Sequence, residues 1–171
     1  MDRVKALIRD VPDFPKPGIL FKDITPMLQD HVAFGEVIDA FAETYADAQV
    51  QAVVGMESRG FIFGAPLALK MGVPFVPVRK AGKLPADCEK VSYALEYGEA
   101  TIEIHRDSLS AGQRVLVVDD LLATGGTAAA TIDLIERLDA KVIACTFVIE
   151  LAFLDGRAKL GDVPVESLIT Y

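Results

Sequence analysis

The chain has 171 residues, 51% hydrophobic and 25% charged, a balance that suits one globular domain, residues 1–171, with a full central sheet and no bilayer-spanning segment. Its net charge of −8 argues against a nucleic-acid surface, which needs lysine and arginine to neutralise phosphates. Cys88, Cys145, His31 and His105 stand at no metal-ligand spacing, so neither a zinc site nor a disulfide framework is expected, and the start at Met1 lacks the apolar core of a secretory signal, which predicts a cytoplasmic protein.

Val4, Leu7, Ile8 and Val11 have helical spacing and predict a first helix, after which Pro12, Pro15, Pro17 and Gly18 force an irregular excursion. The excursion runs into Ile19-Leu20-Phe21-Lys22-Asp23-Ile24-Thr25-Pro26. Phe34, Val37, Ile38, Phe41 and Tyr45 predict a second helix, and residues 52–55 a short buried strand. Met56-Glu57-Ser58-Arg59-Gly60 reads as a turn, followed by a helix over 61–71 and a strand over 73–78. Residues 81–90 mix Gly82, Pro85 and charges and read as a mobile loop. Arg79, Lys80 and Lys83 make that stretch locally basic within an acidic chain.

Residues 91–97 and 101–104 bracket Gly98 and predict two antiparallel strands, with His105 a surface residue at the strand end. Val115 to Val118 are four successive aliphatics, the pattern of a strand buried on both faces, and a helix is expected to begin after Thr127 and run through Leu134, Ile135 and Leu138. Strands over 142–149, with Cys145 a small core residue, and over 165–169 complete the pattern. The alternation predicts an α/β fold with a mostly parallel central sheet covered by helices on both faces, the antiparallel segment being inserted as a hood or lid.

The chemistry concentrates between strand and helix, where Asp119 and Asp120 immediately precede Leu121-Leu122-Ala123-Thr124-Gly125-Gly126-Thr127. In an open α/β sheet that junction is where ligands bind. Gly125 and Gly126 let the backbone approach an anion closely, the helix start offers free amides, and Thr124 and Thr127 add hydroxyl donors. Two carboxylates repel a bare phosphate but accept hydrogen bonds from hydroxyls, so a ribose 5-phosphate satisfies both parts at once. The stretch has neither a Gly-Lys-Ser/Thr after the glycines nor a G-x-G-x-x-G. By itself it leaves the acceptor of the sugar open.

This acidic-pair loop resembles the phosphoribosyl pyrophosphate-binding motif of the type I phosphoribosyltransferases. Asp13-Phe14-Pro15, the run from Pro17 to Pro26, Glu57-Ser58-Arg59-Gly60-Phe61, Arg79-Lys80-Ala81-Gly82-Lys83-Leu84-Pro85 and Leu95-Glu96-Tyr97-Gly98 resemble, in order and spacing, the adenine-specific branch of that family. The resemblance implies the family's fold, with residues up to about 30 forming a purine-binding hood and a mobile antiparallel lid. It implies transfer of ribose 5-phosphate from phosphoribosyl pyrophosphate to N9 of adenine, giving AMP and pyrophosphate with Mg²⁺. A phosphoribosyltransferase for another base, or a regulator that senses the sugar without turnover, is the alternative.

Residue by residue, the resemblance implies that Asp119 and Asp120 hold the ribose and that Ala123, Thr124, Gly125, Gly126 and Thr127 hold its 5-phosphate. Glu57, Ser58 and Arg59 fall on the pyrophosphate turn, where the family often has a cis peptide between the first two, and Arg79, Lys80 and Lys83 add positive charge as their loop closes. Arg59 and Glu96 are the catalytic candidates, Glu96 for the purine proton, and Tyr97 orients it or the substrate. Phe21 stacks on the purine with Leu151 near the other ring face, while the backbone of Leu20 and Lys22 reads the adenine edge. Mg²⁺ is expected to be held mainly by substrate with no direct protein ligand, reaching Asp119 through water, and the enzyme is expected to be a homodimer.

Overall fold

The computed structural model describes residues 1–94 and 98–171, so the sequence expectations for Glu96 and Tyr97 lie outside the described residues. A seven-stranded sheet has the order β5-β6-β4-β3-β7-β8-β9. These strands are β3 (Ala52–Met56), β4 (Phe75–Lys80), β5 (Cys88–Ala94), β6 (Glu99–His105), β7 (Arg114–Leu122), β8 (Lys141–Glu150) and β9 (Val165–Thr170). The pairs β4·β3, β3·β7, β7·β8 and β8·β9 are parallel, and β5·β6 and β6·β4 antiparallel. The antiparallel strands β5 and β6 extend the central sheet at its β4 edge. Among the described residues no helix is long and apolar enough to cross a membrane.

Side-chain alternation along β7 divides the interior into two cores. Val115 and Val117 pack under α5 (Gly126–Arg137) with Val54, Leu134 and Ile135. Leu116 and Val118 pack on the other face, against α3 (His31–Thr44) and α4 (Gly60–Met71), through Phe41, Phe63 and Leu67. Each fully buried side chain of this size contributes roughly 1.5–3 kcal/mol, so β7 is fixed from both sides before any ligand arrives.

The N-terminus departs from its expected helix. α1 (Asp2–Ala6) is short, and Val11 lies instead in β1 (Arg9–Pro12), paired antiparallel with β2 (Leu20–Asp23). Pro12 disfavours a helical residue before it, and Arg9 and Lys22 bond the carboxylates of Asp23 and Asp10, each at 2.6 Å, across the pair. A short helix that the sequence did not announce, α2 (Thr25–Gln29), follows with Pro26 in its first turn, where a missing N–H does no harm. Boundaries also move: the strand expected over 73–78 runs from Phe75 to Lys80 and so carries Arg79 and Lys80, β5 takes over the last residues of the 81–90 loop, β7 runs on through Asp119, Asp120 and Leu122, and α5 begins at Gly126 rather than after Thr127. His105 does end β6, but it is half-buried and its Nε2 has no partner among the described residues.

The basic loop is tied to the sheet by Glu103 of β6, which is 1% exposed. Its carboxylate accepts the Lys83 and Leu84 backbone N–H groups at 2.9 Å and pairs with Lys90 at 3.1 Å. Burial would raise its pKa, but the N–H groups of Leu84, Gly82 and Lys83 and the Lys90 ammonium outweigh it and hold the group at about 2. A depressed carboxylate stabilises the fold above its ordinary range and loses that contribution as pH falls through the folded value. Glu103→Gln is therefore expected to cost up to roughly 3 kcal/mol in urea unfolding at neutral pH, with the gap to the native chain closing as pH falls below about 4.5. A gap that does not change with pH would contradict this.

Candidate active site

The two carboxylates of β7 point to opposite faces. Val118 belongs to the core beneath α4, so Asp120 follows it there and Asp119 turns the other way. Asp120 is buried, and its Oδ2 lies 3.0 Å from Nε of Arg59, the residue that opens α4. Asp119 lines a cavity of about 90 Å³ together with Met56, Phe147 and the loop residues 121–128. That is far below the roughly 300–1,000 Å³ of a typical organic-ligand pocket and suits a compact group such as phosphate.

Burial raises the pKa of Asp119, and the charge of Asp120 raises it further. Burial also raises Asp120, while Arg59 pulls it back down. The pair is thus harder to ionise than exposed aspartates, Asp119 most of all.

Gly125 caps α5 with φ 77°, a left-handed conformation that glycine adopts without strain. The chain there lies directly against Gly156, so a Cβ on Gly125 would meet the Gly156 carbonyl, and a Cβ on Gly156 would meet the carbonyl of Ala123. The Gly156 segment is fixed in turn by Arg157, whose Nε and Nη2 each reach the Glu150 carboxylate at 2.6 Å while Nη1 donates to the Val165 carbonyl at 2.7 Å. Tyr93 of β5 shares a 2.9 Å hydrogen bond with the Thr127 hydroxyl. The loop is therefore shaped from behind by Gly156 and at its helix end by Tyr93. Sequence reasoning missed both residues: Asp155-Gly156-Arg157 reads as an ordinary turn, and Tyr93 as one more strand residue.

Across the sheet end, the Glu57–Ser58 peptide is cis. The Glu57 carboxylate collects Lys83 Nζ at 2.5 Å, the Lys80 backbone N–H at 3.1 Å and Arg79 Nε at 3.3 Å. The Lys83 hydrogen bond, helped by the nearby charges, holds the Glu57 pKa below its ordinary value despite partial burial. The structure brings Glu57, Arg79 and Lys83 together, while Lys80 joins them through its main chain.

Phe21 lines an open cleft of about 540 Å³ with Val11, Phe14, Leu28, Arg59 and Ile62. The Phe14 ring stands edge-on to it, with centroids 5.1 Å apart, and the Arg59 guanidinium lies 5.7 Å from the Phe21 centroid. Leu20 and Lys22, neighbours on the strand, project to the opposite face. Leu151 is partly buried and packs against the core that contains Val148 and Ile149.

Of metal-ligating groups, no three His, Cys, Asp or Glu side chains converge among the described residues. Asp119 offers hard oxygen beside the cradle, and Asp120 is engaged by Arg59. That donor set fits a Mg²⁺ that brings most of its ligands as substrate oxygens and water.

A model of the phosphoribosyl transferase domain matches residues 26–163. The adenine phosphoribosyltransferase of Nocardioides sp. is 62% identical over 169 residues, 96% of this chain and 91% of that protein. The crystal structure of adenine phosphoribosyltransferase from Thermoanaerobacter pseudethanolicus matches with a TM-score of 0.97 at 50% identity, covering 99% of each chain. The Saccharomyces cerevisiae enzyme, complexed with adenine and an imino-altritol bisphosphate, matches with a TM-score of 0.94 at 46% identity, covering 98% of this chain and 97% of that one.

The Gly156 contact makes a direct prediction. Gly156→Ala is expected to displace the loop and weaken ribose 5-phosphate binding at least tenfold by titration calorimetry, because the backbone behind it cannot yield as a side chain would. Native affinity in a folded variant would show that the contact does not shape the loop.

Proposed function

Because the chain belongs to the phosphoribosyl transferase family, and within it to the adenine phosphoribosyltransferases, we propose that the β7 cradle takes the ribose 5-phosphate of phosphoribosyl pyrophosphate while the Phe21 cleft takes adenine. The observation that carries this reading is the placement of Arg59, which reaches Asp120 at 3.0 Å and lies 5.7 Å from the Phe21 ring. It joins the sugar half of the site to the base half.

The 5-phosphate sits on the amides that open α5 and on the hydroxyls of Thr124 and Thr127, with the helix dipole favouring its charge. Asp119 accepts hydrogen bonds from the ribose hydroxyls, and Asp120 shares the ribose once Arg59 turns toward pyrophosphate. The N9 lone pair of adenine forms the new bond to C1 of the ribose as the C1–O bond breaks, and its electrons leave on pyrophosphate. Positive character builds on the sugar, where the two aspartates stand, and negative charge on the leaving group. Arg79 and Lys83 exchange the Glu57 carboxylate for that group, and Ser58 and the Glu57 main chain line its turn. Asp119 would hold a Mg²⁺ through water, and the ion would supply further neutralisation of the leaving group.

Adenine differs from the 6-oxo purines by a donor where they carry an acceptor. β2 is an edge strand of a two-stranded sheet, so backbone groups at Leu20 and Lys22 remain to read that difference while Phe21 stacks. Glu96 takes the proton released as N9 becomes the nucleophile, with Tyr97 beside it in sequence.

Pyrophosphate release with Mg²⁺, phosphoribosyl pyrophosphate and adenine, guanine, hypoxanthine or orotate offered separately tests the whole reading. Adenine alone is expected to support rapid release, and Glu96→Leu to lower kcat far more than it raises either KM. Release with another base and none with adenine would overturn the assignment, and native kcat in the variant would remove Glu96 from the chemistry.

A further inference from the structure

The hairpin β1·β2 forms a sheet of its own and shares no strand pairing with the seven-stranded sheet. Whatever fixes the height of Phe21 above the rest of the site must therefore act through side chains and through the helices that flank the hairpin. Arg9–Asp23 and Lys22–Asp10 stiffen the hairpin internally but do not attach it to anything.

Alternation settles where the attachment lies. Val11 and Phe21 are cross-strand partners and both line the cleft, so the partners Asp10 and Lys22 occupy the reverse face. There the Lys22 ammonium lies 3.7 Å from the centroid of the Tyr171 ring, on a side chain only 8% exposed. Lys5 of α1 approaches the same ring more distantly, at 5.5 Å. A desolvated ammonium held on an aromatic face is the strong form of the cation–π contact.

Tyr171 itself belongs to the body of the protein. Its N–H donates to the Glu150 carbonyl at 2.9 Å, and its carbonyl accepts from the Ala152 N–H at 3.0 Å. The residue thus spans the hood and segment 150–152, which carries Leu151 and the Glu150 that clamps Arg157 behind the phosphate loop.

We propose that Tyr171 is a positioning residue for the purine: its ring holds Lys22 and thereby sets the height at which Phe21 meets the base. This rests on the reading of the Phe21 cleft as the adenine site. A hood released from the ring samples other heights, and the apparent affinity for the base falls by the fraction of time spent away from the competent one. The 5-phosphate loop is shaped by Gly156 and Tyr93 and not by this ring contact, so the two substrates respond differently.

Steady-state kinetics and hydrogen exchange of the ligand-free protein, run on the native chain, Tyr171→Leu, Tyr171→Phe, Lys22→Met and the double variant Tyr171→Leu/Lys22→Met, test the proposal. Tyr171→Leu is expected to raise the adenine KM about tenfold and leave the phosphoribosyl pyrophosphate KM within about twofold. Tyr171→Phe keeps the ring face and is expected to match the native chain, and the double variant to be no worse than either single one. Amides of residues 9–23 are expected to exchange faster in Tyr171→Leu and Lys22→Met but not in Tyr171→Phe. An unchanged adenine KM, an equal rise in both KM values, or failure of phenylalanine to rescue would overturn the proposal. If the native chain turns over no adenine, it is the assignment of the cleft that fails, and hood exchange alone then decides whether Tyr171 holds the hairpin.

Discussion

Two carboxylates in tandem on a buried strand beside an anion-binding loop is the arrangement on which everything else in this molecule depends. Side by side they would repel any anion brought to that loop. The pleat of β7 separates them, sending Asp119 into the loop cavity and Asp120 to Arg59. Burial raises the pKa of both, with Arg59 drawing Asp120 back down, and a ligand with hydroxyls next to its phosphate would suit such a pair.

The surrounding structure holds that arrangement still. The loop is confined from behind by Gly156, which Arg157 and Glu150 lock to β8, and at its helix end by Tyr93. Across the sheet end Arg79 and Lys83 stand paired with Glu57, on a loop whose base is bonded to buried Glu103. On the proposed reading, positive charge is thus stored beside the leaving group, balanced by a carboxylate that a more highly charged group would displace. In the free protein Glu57 balances the charge of Arg79 and Lys83.

Most of the central sheet was legible in the sequence because β3, β7 and β8 are buried on both faces and therefore read as unbroken aliphatic runs. The cradle between β7 and α5 was legible for a different reason: its acids, glycines and threonines are contiguous. Val11 was misread as helical because its spacing from Val4, Leu7 and Ile8 fits one turn period, and only pairing with Phe21 makes it a strand. The divergence of Asp119 and Asp120 follows from strand alternation, but only once β7 is known to continue through both. Gly156, Tyr93 and Tyr171 act through contacts with residues 31, 34 and 149 positions away, and nothing local to them marks such partners.

The division of labour at the end of β7 is open to direct measurement by titration calorimetry of the native chain and Asp119→Asn with two ligands, ribose 5-phosphate and inorganic phosphate. If the carboxylate serves the hydroxyls and the loop serves the phosphate, the variant loses roughly 10- to 100-fold in affinity for ribose 5-phosphate and binds inorganic phosphate at least as well as before. Parallel loss for both ligands, or native affinity for ribose 5-phosphate, would contradict the account.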